Sequence, residues 1–256
     1  MFKKSFGSYV SPSSQREELR DAKEILNAIS STQAFIEFKM DGTIVTANQN
    51  FLSLMGYTLD EIQGKHHSMF ATAEYAAGDE YRKFWGALNK GISSCREFKR
   101  IAKGGRPVWL QGSYLPIADV DGIPCKVVKY ASDITKRLGE SAEGKSEAQA
   151  IRKALAVIEF NADGTVITGN DNFCGALGYS PSELVGKHHS LFVAPSYVQS
   201  EEYRQFWKKL GRGDWDSGEY MRVAKDGHEV WINASYNPIL NLDGEVTKVI
   251  KYAYDV

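Results

Sequence analysis

The chain has little that would bind it together covalently or anchor it elsewhere. Its 256 residues include only three cysteines, Cys95, Cys125 and Cys174, widely spaced and with no C-x-x-C pair. That excludes a disulfide framework or a thiolate zinc site and leaves each thiol as a small side chain in a reducing compartment. No run of about eighteen uncharged apolar residues occurs, and the opening MFKKSFGSYVSPSS has no apolar stretch of signal-peptide length. A cytoplasmic chain without a membrane span is expected. Basic and acidic residues nearly balance, at 31 against 32, so no positive excess invites nucleic acid. There is no G-x-S-x-G, no H-E-x-x-H and no glycine-rich phosphate loop, and no enzyme is expected.

What is present is one unit written twice. Residues 35–134 align with 157–256 without a gap at a constant offset of 122, and about 46 of the 100 positions are identical. The period is too long for a solenoid repeat, so each copy reads as a domain. The expected division is an N-terminal tail and amphipathic helix (1–32), a first domain (33–135), a helical linker (136–154) and a second domain (155–256).

The punctuation of a copy predicts its elements. FIEFKMDGTIVTAN is two short strands around an Asp41-Gly42 turn, and AVIEFNADGTVITGN repeats it at Asp163-Gly164. Asn48 is an N-cap and Gly56 a stop, while TLDE and SPSE fit capping boxes, with Pro181 at a first helical position. Tyr81, Phe84, Trp85 and Leu88 fall on one face of a third helix. CREFKRIAK, PVWLQGSYLPIAD and KVVKYASDI complete the copy as three antiparallel strands. The plan is α+β, with five antiparallel strands and helices on one face, and a ligand pocket between the layers. Before the copies, QREELRDAKEILNAIS aligns Leu19, Ala22, Ile25, Leu26 and Ile29 on one helix face, suited either to its own domain or to a second chain.

Each copy resembles a PAS sensor domain, through the opening DGTI..AN..F....GY...E..GK and the closing KDG...W......P..D.DG...K.....DI. With HH..F, EY..FW..L..G and SY.PI, the pair is similar to the tandem PAS input of soluble methyl-accepting chemotaxis proteins, biofilm-dispersion receptors among them. The resemblance implies a sensor of redox, oxygen or a small ligand and a homodimer. It also implies a downstream chemotaxis signalling domain outside this chain, which would make these residues the input half of a longer receptor. It leaves three cofactor states open: FAD, haem b, or none.

Five of the 256 residues are histidines, and four sit in the doublets His66-His67 and His188-His189. An inward imidazole could ligate haem iron or touch another cofactor, while the same rings could simply cap carbonyls of a turn. Trp85 and Trp207 could stack on a planar ring or fill the core. In PAS domains of the aerotaxis-receptor type, which bind FAD, a similar tryptophan is associated with the flavin, and Asn48, Asn170, His67 and His189 match positions of that motif. That family's Arg-His-Pro-Asp run is replaced here by FATAEY and FVAPSY. Ser113 and Ser235 complete the candidate contacts, with a plain sheet hydroxyl as the alternative. Arg100 and Arg222, with Lys103 and Lys225, read as a solvated strand face. Trp109 and Trp231 read as an outer face.

Overall fold

The computed structural model describes residues 12–255. The expected tail over the first eleven residues, Val256 and the Leu19 side chain lie outside the described residues. The chain divides into two compact units, one through Ser141 and the other from Ala142.

In the first unit, α1 (Pro12–Thr32) leads into the hairpin β1 (Ala34–Lys39) and β2 (Ile44–Ala47). Helices α2 (Gln49–Met55) and α3 (Leu59–Ile62) follow, then α4 (Ala73–Ala77) and α5 (Asp79–Leu88). Strands β3 (Ser94–Ile101), β4 (Pro107–Ala118) and β5 (Pro124–Asp133) close the domain, and α6 (Thr135–Ala154) follows. The second unit repeats the series as β6 (Ala156–Phe160), β7 (Val166–Gly169), α7 (Asp171–Leu177), α8 (Pro181–Leu184), α9 (Pro195–Val198), α10 (Glu201–Gly211), β8 (Asp216–Val223), β9 (Glu229–Leu240) and β10 (Val246–Asp255). Both sheets are antiparallel, in the orders β2-β1-β5-β4-β3 and β7-β6-β10-β9-β8.

The caps act as their residue types predict. The Asn48 and Asn170 side chains accept from the third residue of α2 and α7, and Gly56 and Gly178 end those helices at φ 73. Thr58 with Glu61, and Ser180 with Glu183, form capping boxes. Period-two burial then aims one sheet face at the helices: Ile36, Phe38, Val108, Leu110, Tyr114, Val127 and Lys129 point inward, while Glu37 and Trp109 point out. The inner layer closes on Phe51, Met55, Ile62, Phe70, Phe84, Trp85 and Leu88 from the helical side.

Among the described residues nothing covers Ile25 and Leu26 of α1, which are 61% and 53% exposed. Helix α6 has no buried residue. No described helix is long and apolar enough to cross a membrane.

Candidate functional site

The histidine doublets lie where the helical layer meets the β1–β2 turn. Gly42 takes φ +86 in that turn, and a side chain there would place its Cβ 2.6 Å from His66 Nε2 and 3.2 Å from the Trp85 ring. The His67 N–H donates to the Gly42 carbonyl at 2.8 Å, which pins the doublet to the turn. The peptide between the two histidines sends their rings to different places. His66 stays at the surface, with Nε2 2.9 Å from the Asp41 carbonyl and Nδ1 accepting from the Ser68 N–H at 3.2 Å. His67 is 1% exposed and enters the core.

There it joins a buried chain of polar groups. His67 Nδ1 lies 2.8 Å from the Tyr81 hydroxyl and Nε2 2.9 Å from that of Tyr114, to which Arg100 Nη2 donates at 3.1 Å. The second unit reproduces it: His189 meets Tyr203 at 2.9 Å and Tyr236 at 3.0 Å, and Arg222 reaches Tyr236 at 2.8 Å. An arginine only donates, so it gives the chain a direction. Tyr114 accepts from Arg100 and turns its own proton to His67 Nε2, which leaves Nδ1–H to donate to Tyr81. The imidazole is neutral in this arrangement. Burial holds its pKa well below the usual histidine range, and the cations of Arg100 and Lys129 add to the effect. Burial likewise raises the Tyr114 hydroxyl and pushes Tyr81 up to about 12. Lys129, 2% exposed, lies across from Tyr114 on β5 with Nζ 4.8 Å from that ring's centre; desolvation first, then Arg100, lowers its pKa well below the ordinary lysine value.

These positions change the sequence expectations residue by residue. Arg100 and Arg222, expected on a solvated face, are 2% and 3% exposed. They lie inward because β3 and β8 alternate with Phe98 and Tyr220 on the helix side, and each guanidinium curls back to its own strand, donating to the carbonyl of Lys99 or Met221. Ser113 and Ser235 occupy the opposite face from Tyr114 and Tyr236, so neither lines the interlayer core, and Ser113 Oγ meets Cys95 Sγ at 3.2 Å instead. Trp109 and Trp231 are on that outer face, 36% and 55% exposed.

Asn48 binds nothing inside the core, because all its polar atoms are engaged at the domain edge. Its Oδ1 accepts from the Phe35 and Phe51 N–H groups, both at 2.9 Å, while Nδ2 donates to the Ser30 and Gln33 carbonyls at 2.7 and 2.8 Å. Asn170 makes the same four contacts with Val157, Phe173, Arg152 and Leu155. Each asparagine therefore ties together the first strand, the first short helix and the end of the helix that precedes its domain.

Neither haem nor flavin fits the residues present. Haem needs an inward imidazole with a free nitrogen, and both nitrogens of His67 and of His189 are engaged by tyrosine hydroxyls. A flavin needs a planar slot against the tryptophan. Trp85 is instead packed edge-on against Phe38, His67 and Phe84 at 5.9, 5.4 and 5.8 Å, with the Gly42 turn beneath it. In this packing neither group has a place. Among the described residues there is also no group of three or more His, Cys, Asp or Glu that could hold a metal ion.

Sequence reasoning put Tyr81 on the core face without assigning it to the site, missed Tyr114 and Lys129, and misplaced Arg100. The signal was available in EYR, SY.PI and the terminal KV.KY, which recur in both copies. Their partners lie 14 and 47 residues from His67 in sequence, beyond any local pattern.

A domain with this strand order, its helices gathered on one sheet face, and a second copy following it defines a tandem sensor-type α+β protein. The PAS fold matches residues 44–131 and 166–253, and the chain belongs to that family, as two PAS domains in series. It is 42% identical over 229 residues to biofilm dispersion protein BdlA of Pseudomonas aeruginosa, covering 90% of this chain and 55% of that protein. It is 26% identical over 112 residues to the bacterioopsin transcriptional activator of Halobacterium salinarum, covering 44% of this chain and 16% of that one. The chain thus spans about half of the first relative and a small part of the second. A solved PAS domain from Colwellia psychrerythraea is 21% identical with a TM-score of 0.39, over 44% of this chain and 95% of its own.

Proposed function

We propose that this chain is the sensory input module of a cytoplasmic chemotaxis-type receptor, in which the state of each PAS core biases the helix that precedes it. One observation carries the reading. In both copies a single asparagine holds the core strand, the first core helix and the last carbonyls of the preceding helix, so the core and that helix cannot shift independently. The likeness to a biofilm dispersion protein supports a signalling rather than a catalytic role. The filled interlayer core supports sensing without bound flavin or haem. The exposed Ile25, Leu26 and Ile29 on α1 support pairing with a second copy, since an uncovered apolar stripe on a helix gains by burial.

The test joins the chain to a chemotaxis signalling domain and reads kinase output, with Asn48→Ala and Asn170→Ala introduced separately. Each substitution is expected to fix the output at one level while leaving its sheet folded, and the purified chain is expected to show neither a flavin nor a Soret band. Hybrids that respond like the parent with either substitution would remove the coupling.

A further inference from the structure

Each domain buries an arginine and a lysine, Arg100 with Lys129 and Arg222 with Lys251, and the edge strand beside the first pair differs from that beside the second. Arg100 and Lys129 are each 2% exposed, and neither has a carboxylate partner among the described residues. Arg100 uses Nη1 on the Lys99 carbonyl and Nη2 on Tyr114, while its buried Nε has no acceptor. Burying a cation without a counter-charge is costly, so a site of this kind favours an anion.

Beside Arg100 lies a cavity of about 340 Å³ along the free edge of β3, lined by Thr72, Tyr75, Arg96, Phe98, Arg100 and Trp109. Arg96 stands at its mouth, donating to Glu80 at 2.9 Å and to the Tyr75 hydroxyl at 3.1 Å, with its guanidinium 5.0 Å from the Phe98 ring centre. Glu80 is thereby matched by Arg96, and the Glu97 carboxylate on the wall is matched by Arg137 at 3.1 Å. The cations of the lining left without a carboxylate partner among the described residues are the exposed Lys99 and the buried Arg100. Three aromatic rings and a hydroxyl complete the wall, which suits a flat apolar body with a charged end.

The second domain has lost the features that make this site. Gly218 stands where Arg96 does, Tyr220 replaces Phe98, Ala194 replaces Thr72, and Asp216 replaces Ser94. The Tyr220 hydroxyl donates to Asp216 at 2.7 Å, and Lys209 donates to the same carboxylate at 2.7 Å. At the place of the Asp216 carboxylate the first domain has only the Ser94 hydroxyl.

We propose that the first PAS domain binds a small organic carboxylate with a planar apolar body in the groove beside β3, through Arg96 and Arg100. As an input it rests on the sensory reading above, because Arg100 is the outer end of the chain that runs through Tyr114 to His67. Binding itself does not depend on that reading.

The experiment titrates benzoate, and benzyl alcohol as its uncharged counterpart, into the 256-residue chain. The readouts are the arginine Nε and tryptophan indole signals in nitrogen-15 NMR. Saturable benzoate shifts are expected at Arg100 and Trp109, with benzyl alcohol inert and the signals of Arg222 and Trp231 unmoved. Ser94→Asp and Arg96→Gly, which import the second domain's residues at half-buried or exposed positions, should each weaken binding by about tenfold or more. No saturable shift, an equal response to benzyl alcohol, or shifts of equal size in the second domain would overturn the site. A chain with no saturable benzoate shift, in a hybrid receptor still governed by Asn48, removes the site alone. A chain that binds benzoate while the hybrid's output ignores both benzoate and Asn48→Ala keeps the site and removes the sensory reading.

Discussion

The two domains share an interior and differ at their edges. Arg100, Tyr114, His67, Tyr81 and Lys129 recur as Arg222, Tyr236, His189, Tyr203 and Lys251 with hydrogen bonds that agree to about 0.3 Å. Around that constant centre the edge strand changes from Ser94, Arg96 and Phe98 to Asp216, Gly218 and Tyr220. The attachment of the preceding helix changes as well. In the second domain, Arg152 of α6 pairs with Glu159, which is 5% exposed and also accepts from Lys248 at 2.7 Å. In the first, the corresponding Glu37 pairs among the described residues with Lys126 alone, at 3.0 Å, and Ser30 stands at the place of Arg152. A duplicated fold thus keeps the polar chain that specifies the core and varies the rim, where ligands and helices attach.

The largest test of the shared interior is Tyr114→Phe against Tyr236→Phe. Each leaves an arginine nitrogen and a histidine nitrogen buried without a partner, and each is expected to destabilise its own domain by about 2–4 kcal/mol. Domain-resolved hydrogen exchange under mild urea measures both, and a loss confined to one domain would break the equivalence. Gly42→Ala and Gly164→Ala come next, at about 1–3 kcal/mol each. Both positions have positive φ, and the new Cβ would push on His66 or His188 and on the tryptophan beneath.

The pH response follows from the same chain. Burial and the facing cations hold the folded imidazoles of His67 and His189 below their unfolded value near 6.5. Between those values the unfolded state binds the extra proton, so stability falls as pH drops below about 6.5, at up to about 1.4 kcal/mol per pH unit for each residue. Urea midpoints recorded at successive pH values should show this slope in both domains, and His67→Gln should remove it from the first alone. The smallest effect sharpens the difference between the rims. Arg152→Ala should cost about 1 kcal/mol or less in the second domain, since Lys248 still serves Glu159, while Ser30→Ala should be nearly silent in the first.

The caps and turns were legible because their causes are local. Asn48, Gly56, the Thr58 and Ser180 boxes and the Asp-Gly turns each act within a few residues, where the chain's own geometry leaves few alternatives. The strand series was legible from period-two alternation, and the duplication from the constant offset. The orientation of Arg100 was not. A charged residue on an edge strand ordinarily faces water, and here it is the buried Tyr114 hydroxyl on the neighbouring strand that gives Arg100 a partner on the inward side.

By itself, then, the sequence determined two PAS-type α+β domains, their capped helices and their hairpins, because neighbouring residues write those features. Only the tertiary structure decided which histidine of each doublet enters the core, which hydroxyls meet it, and that Ser113 and Ser235 turn away. Those contacts join residues far apart in the chain, and a one-residue change of face on a strand or across a doublet reverses burial without altering any local pattern.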